Sequence, residues 1–182
     1  SDAAAVMRGL ARMWQIGLDD ERVVRLAQSL GADVAFFLHE VPSYLDGRGD
    51  VLRETFAPFS APVVLVKPDQ GVSTGACYRL LDEMATPAPQ VEPMLEALRA
   101  GDAPSARAAL ANNMEPAALQ LAPAIAEVFA FLQDSGACQA GPLLCGSGSC
   151  VCAFVGDLAA AERLAVQARE HGWWASASAT LV

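Results

Sequence analysis

Between Pro62 and Leu181 the apolar pattern changes period in a fixed order, and that order restricts the fold more than any single residue does. Pro62 to Lys67 (PVVLVK) reads as a short buried strand. A helix near Ala76 to Met84 follows, with Tyr78 in its first turn, and then helical stretches at 91–99, 103–111 and roughly 116–134. Two strands, Pro142–Cys145 and Cys150–Val155, flank a Gly-Ser turn. A further helix covers residues 158–170, and Trp173 to Leu181 alternates as a last strand. With the helices collapsed, the order is strand, helices, strand, strand, helix, strand. That is the βαββαβ order of a ferredoxin-like sandwich, in the α+β class.

Upstream the pattern differs. Ser1-Asp2 caps a helix that runs through Ala3-Ala4-Ala5 to Trp14. A second helix starts on Asp19-Asp20-Glu21, where acidic residues suit the helix dipole, and ends at Gly31. Residues 32–38 form an apolar run holding one carboxylate, Asp33. Ser43-Tyr44-Leu45 and Asp50-Val51-Leu52 flank Asp46-Gly47-Arg48-Gly49, which reads as a hairpin. The Pro-containing stretch 57–62 is the best boundary, dividing the chain into 1–58 and 59–182. A helix that begins on its own cap at the first residue predicts an element upstream, and hence a truncated chain.

The 182 residues are 53% hydrophobic and 18% charged, which excludes a disordered chain and supplies ample apolar surface for a core. The net charge of −9 repels nucleic acid and anionic membrane, so a polyphosphate ligand needs a local site. Asp2 and Arg8 interrupt the first apolar stretch, so it is no signal peptide. No stretch reads as a membrane helix, which needs roughly 20 apolar residues. A cytoplasmic protein is expected. Five cysteines (Cys77, Cys138, Cys145, Cys150 and Cys152) without a framework fit reduced, buried structural thiols.

Five places can carry chemistry. Gly146-Ser147-Gly148-Ser149 lets backbone N–H groups turn inward as an anion nest, or is a plain hairpin turn. Asp33, beside apolar residues, can accept or orient a hydroxyl proton, or cap the turn after Gly31. Ser1-Asp2 at a helix start can meet phosphate, or is ordinary capping. The segment 72–78, with Thr74 and Tyr78, can contact a ligand, or packs. Asn112-Asn113-Met114-Glu115 reads as a turn with a cap.

Taken in order, these segments resemble the GHMP kinase family. Ser1-Asp2-Ala3-Ala4-Ala5 resembles the tail of its Gly-rich second motif. Gly31-Ala32-Asp33-Val34-Ala35-Phe36-Phe37, Val66-Lys67-Pro68 with Gly71-Val72-Ser73-Thr74 and Tyr78, and Asn112 to Pro116 are similar to segments of the branch acting on a cytidine-diphosphate-linked methylerythritol. Cys145-Gly146-Ser147-Gly148-Ser149-Cys150-Val151 resembles the third motif of the family. Ala35 stands in place of the usual Pro, and Cys145 in place of the common Met.

The resemblance implies a GHMP-kinase fold: a remnant of the amino-terminal ATP-binding domain followed by the ferredoxin-like domain. It implies that ATP, with Mg²⁺, phosphorylates the 2-hydroxyl of the cytidyl substrate in isoprenoid precursor synthesis. Asp33 would be the catalytic base. Ser1 and Asp2 would lie at the phosphate end of the Gly-rich loop, with Ser1 also near the metal. Gly146, Ser147, Gly148 and Ser149 would steady the phosphates, and Tyr78 would stack on cytosine beside Thr74. The family's preceding segment carries a Lys that partners the Asp, so this chain alone is expected to be inactive, its partner being the missing segment of the same protein. Apolar surface left open by that loss predicts self-association, a homodimer included. Two other readings are a different GHMP kinase, acting on homoserine or mevalonate, and a ferredoxin-like ligand-binding module without catalysis.

Overall fold

The computed structural model describes residues 2–39 and 41–180. They divide into two compact units, one ending at Pro58 and the other covering Phe59–Thr180.

The first unit holds three helices and a hairpin: α1 (Asp2–Trp14), α2 (Glu21–Leu30), α3 (Ala32–Phe36), β1 (Ser43–Asp46) and β2 (Val51–Thr55). Asp20 caps α2, its Oδ1 accepting the Arg22 N–H at 2.9 Å. The apolar run after Gly31, whose period leaves its conformation open, folds as the short helix α3. Ala4 and Met7 of α1, Ala27 of α2, Ala35 of α3 and Leu38 bury together as a small core. The alanines let the three helices approach closely. The hairpin is antiparallel, and the Gln28 side chain ties α2 to it by donating to the Asp50 carbonyl at 2.8 Å.

The second unit runs β3 (Pro62–Lys67), α4 (Thr74–Met84), α5 (Glu92–Ala100), α6 (Ala103–Ala108), α7 (Glu115–Leu121), α8 (Ala124–Asp134), β4 (Leu143–Leu144), β5 (Val151–Phe154), α9 (Leu158–Glu170) and β6 (Trp174–Ala179). Its four strands lie in the order β4-β5-β3-β6, all neighbours antiparallel, which is the ferredoxin-like arrangement. Register puts Val64 opposite both Ala153 and Ala177, and Leu144 opposite Val151. With a side-chain period of two, Val64, Val66, Leu144, Val151, Ala153 and Ala175 share the covered face. They bury against Ile125, Val128 and Leu132 of α8 and Ala161, Leu164, Ala165 and Ala168 of α9. Asp157 starts α9 by accepting the Ala160 N–H at 2.7 Å.

Several expected boundaries move. The stretch 116–134 is two helices, because Ala122 (φ −140°, ψ 83°) precedes Pro123 and leaves the helical region. The stretch from 103 ends at Ala108 rather than 111. The helix expected from Ala76 starts earlier, at Thr74, with Ser73 as its cap, which places Tyr78 in the second turn instead of the first. Strand β4 is only two residues long, since Gly141-Pro142 ahead of it offers no N–H at Pro142 for a ladder. Among the described residues no helix is long and apolar enough to cross a membrane.

Candidate functional site

In the second unit the candidate residues gather around the turn between β4 and β5. Cys145 N donates to the Cys150 carbonyl at 2.8 Å, and Gly148 N donates back to the Cys145 carbonyl at 3.0 Å. The turn needs glycine at two points. Gly146 has φ +58° and Gly148 φ +85°, a region that side-chain-bearing residues rarely adopt. A Cβ on Gly148 would also stand 3.0 Å from Leu144 Cδ1 and 3.4 Å from Ile125 Cδ1. The loop therefore lies directly on the core.

Asn112 fixes this loop from the turn before α7. Its Nδ2 donates to the Leu144 carbonyl at 2.9 Å and to the Gly146 carbonyl at 2.8 Å, while its Oδ1 accepts the Met114 N–H at 2.9 Å. The Asx turn onto Met114 is the turn expected from sequence; the expected side-chain cap is not made, since α7 starts from Met114 with no side-chain cap bond. The two bonds to the loop cross more than thirty residues of chain, which no local pattern displays. Just below, the buried Cys77 thiol of α4 points to the Met114 carbonyl at 3.8 Å, and burial pushes that thiol up. Glu115 opens α7, and desolvation raises its carboxyl above the ordinary value.

The loop also meets the start of α4. Thr74 Oγ1 and Ser147 Oγ are 2.9 Å apart, in hydrogen-bonding contact. Tyr78 is one helical turn beyond Thr74, on the same face, with its ring more than half exposed. Ser149 is the exception among the loop's polar groups. It is 2% exposed, and its Oγ has no hydrogen-bond partner among the described residues. A buried hydroxyl without a partner carries a desolvation cost that a ligand atom arriving at the loop would relieve.

The first unit holds the other candidates. Asp33 lies in the first turn of α3 and is exposed, its carbonyl accepting the Phe37 N–H at 3.2 Å. Asp2 opens α1, also exposed. Ser1 lies outside the described residues. Ala4 and Met7 pack with Ala35 and Leu38, so α1 and α3, which carry Asp2 and Asp33, are held against each other. A groove of about 750 Å³ runs along α1, lined by Ala4, Arg8, Gly9, Arg12, Ile16 and Phe37 among others. Arg8 and Arg12 stand one turn apart in it, a cationic pair that sequence reading passed over because arginines on a surface helix carry no motif. Among the described residues no group of three or more His, Cys, Asp or Glu side chains is placed to hold a metal ion.

Comparison with known proteins shows what this chain is similar to. The profile of the GHMP kinases N terminal domain matches residues 1–40, and that of GHMP kinases C terminal matches residues 94–172. The 4-diphosphocytidyl-2-C-methyl-D-erythritol kinase of Pelotomaculum thermopropionicum is 35% identical over 170 residues, covering 93% of this chain and 58% of its own length. The kinase of the same name from Symbiobacterium thermophilum is 38% identical over 168 residues, covering 90% and 58%. This chain thus spans somewhat more than half the length of the curated relatives it matches. A crystal structure of 4-(cytidine 5'-diphospho)-2C-methyl-D-erythritol kinase superposes with a TM-score of 0.78 at 30% identity, over 100% of this chain and 64% of that one. Homoserine kinase from Cytophaga hutchinsonii shares the fold, with a TM-score of 0.53 at 20% identity over 72% and 44% of the two chains.

Proposed function

Because the chain belongs to the GHMP kinase family, we propose that the protein it comes from uses ATP to phosphorylate the 2-hydroxyl of 4-diphosphocytidyl-2-C-methyl-D-erythritol. The relatives of that name support the substrate. The observation that carries the reading in the structure is the contact of Thr74 with Ser147. It joins the helix end proposed to bind the cytidyl group to the loop proposed to hold phosphate.

In this reading the chain divides its labour between its units. Residues 1–58 are a remnant of the ATP-binding domain, and 59–182 the carboxy-terminal domain. Phosphoryl transfer rests on positioning and on charge stabilisation more than on covalent help from the protein. Asp33, exposed on α3, accepts or orients the proton of the attacking hydroxyl. The amides and hydroxyls of Gly146–Ser149 steady phosphate oxygens, and the buried Ser149 Oγ gains a partner when they arrive. Ser1 and Asp2 meet the phosphates from the start of α1. Tyr78 offers an exposed ring for cytosine, beside Thr74. Mg²⁺ fits as an ion brought in by the nucleotide. The described residues offer no cage of side chains for it, and Mg²⁺ is commonly held by one or two carboxylates plus substrate phosphates. A cytoplasmic location suits five cysteines that are all free thiols.

A substrate panel tests the assignment. The full-length protein is expected to release ADP with the cytidyl substrate, and not with homoserine or mevalonate. Turnover of homoserine or mevalonate with none of the cytidyl compound would overturn it.

A further inference from the structure

Three thiols border the Gly146–Ser149 loop and take no part in the chemistry proposed for it. Cys145 follows β4 directly, and Cys150 and Cys152 bracket the first residue of β5. Leu144 and Val151 pair across the ladder and face the core, so alternation sends Cys145, Cys150 and Cys152 to the opposite face. All three are half-buried, whereas Cys77 is buried outright. Continuing the register one step beyond the ladder sets Cys145 against Cys150, and one of the two bonds such a pair exchanges is made, from Cys145 N to the Cys150 carbonyl at 2.8 Å, while the Cys145 carbonyl turns to Gly148 N. Opposed residues in such a pair have Cα atoms about 5.5 Å apart, inside the roughly 4.4–6.8 Å span of a disulfide. Cys152 is the diagonal neighbour of Cys145, at about 7–8 Å, outside that span.

We propose that Cys145 and Cys150 are an oxidation site, forming a reversible disulfide across the base of the loop when the protein meets a peroxide. One thiol, on losing its proton, attacks the O–O bond of hydrogen peroxide, giving a sulfenic acid and a hydroxide that takes up that proton as water. The other displaces the sulfenic hydroxyl as water and forms the S–S bond. Two thiols are oxidised, one peroxide is reduced, and two waters leave. A small dithiol reverses the step by exchange. The pair suits a reducing compartment, where disulfides are transient and regulatory. The hydrogen bond with Cys145, and then burial, push the Cys150 thiol up, and Cys145, hydrogen-bonded to both neighbours and partly buried, is raised to about 11, so the pair oxidises slowly; the hydrogen bond with Cys145 holds the Cys152 thiol below the ordinary range, which makes it the competitor for the oxidant.

The consequence rests on the kinase reading. Opposed Cβ atoms stand about 4.5–5.5 Å apart, and those of a disulfide about 3.8 Å. Closing the bond draws the stems of the loop together by about 1 Å and shifts the carbonyls that Asn112 and Gly148 bind. A displacement of that size in a catalytic loop can lower turnover by about 100-fold.

The test is thiol mapping on the full-length protein. After graded peroxide, free thiols are alkylated and the tryptic peptide covering 108–163, which holds Cys138, Cys145, Cys150 and Cys152, is weighed. The expected peptide is lighter by two hydrogens and carries two fewer alkyl groups, and dithiothreitol restores both. Cys150→Ser abolishes the change and Cys152→Ser leaves it. Complete alkylation at every peroxide level, or a change lost in Cys152→Ser and kept in Cys150→Ser, overturns the site. ADP release measured on the same samples is expected to fall and recover with the bond. A bond that forms while activity is unchanged overturns the regulatory consequence. A bond in a protein with no kinase activity under reduction leaves the site standing and contradicts the kinase reading.

Discussion

Ser149 and Asn112 hold the loop in opposite ways. The Ser149 hydroxyl is buried and has no partner among the described residues, so the ligand-free protein bears its desolvation cost. Ser149→Ala is therefore expected to stabilise the ligand-free protein by about 1 kcal/mol in urea unfolding while raising the KM for ATP severalfold. Loss of stability together with an unchanged KM would contradict the role given to it. Asn112 satisfies two loop carbonyls, at 2.9 and 2.8 Å, that would otherwise lose their partner. Asn112→Ala is expected to cost about 1–3 kcal/mol and to lower kcat/KM for ATP by about tenfold, read from denaturation and steady-state kinetics. Asp20 gives a pH test. The Arg22 guanidinium, and then its backbone N–H, hold this carboxyl down to about 2. The folded value lies below the unfolded value of about 3.9, so the cap contributes fully above that pH and fades as pH falls toward 2. The melting difference between wild type and Asp20→Ala is expected to shrink over that window. Sequence displayed Ser149, Gly146 and Thr74 as candidates. It displayed Asn112 only as a turn, because its decisive partners lie far along the chain.

At the level of elements, the loop and its two strands are the most constrained piece of the second unit. Gly148→Ala would force a left-handed backbone on a residue with a side chain and press its Cβ to 3.0 Å from Leu144. About 1–3 kcal/mol of destabilisation is expected in urea unfolding, and a variant as stable as wild type would contradict the geometry. The strands and helices of this unit were legible because each carries its own pattern: a short continuous apolar run in PVVLVK, alternation in Trp174–Ala179, and helical repetition in Leu158–Glu170. The order of strands in the sheet followed from the βαββαβ sequence of elements. The split of 116–134 was not read, although Pro123 and the residue before it mark the break. An alanine-rich stretch reads as helical on either side of such a proline. The short helix α3 was open for another reason. Five residues are too few to show a helical period, and its fold comes from Ala35 and Leu38 packing on α1 and α2.

For the molecule as a whole, a net charge of −9 means that a triphosphate would need oriented backbone groups, hydroxyls and helix ends to hold it, with the Arg8 and Arg12 pair on α1 as local exceptions to the acidic balance. Both sets of family-like segments lie in one chain, Asp33 in the first unit and the Gly146–Ser149 loop in the second. The central claim is that Asp33 handles the proton of a cytidyl substrate whose phosphoryl donor is ATP. The most direct measurement is steady-state ADP release by the full-length protein, wild type against Asp33→Asn, with the cytidyl substrate present and absent. The account predicts substrate-dependent release in the wild type and a fall of about 10²–10⁴-fold in kcat, with KM nearly unchanged, in Asp33→Asn. Equal turnover by the two proteins, or ADP release indifferent to the substrate, would contradict it.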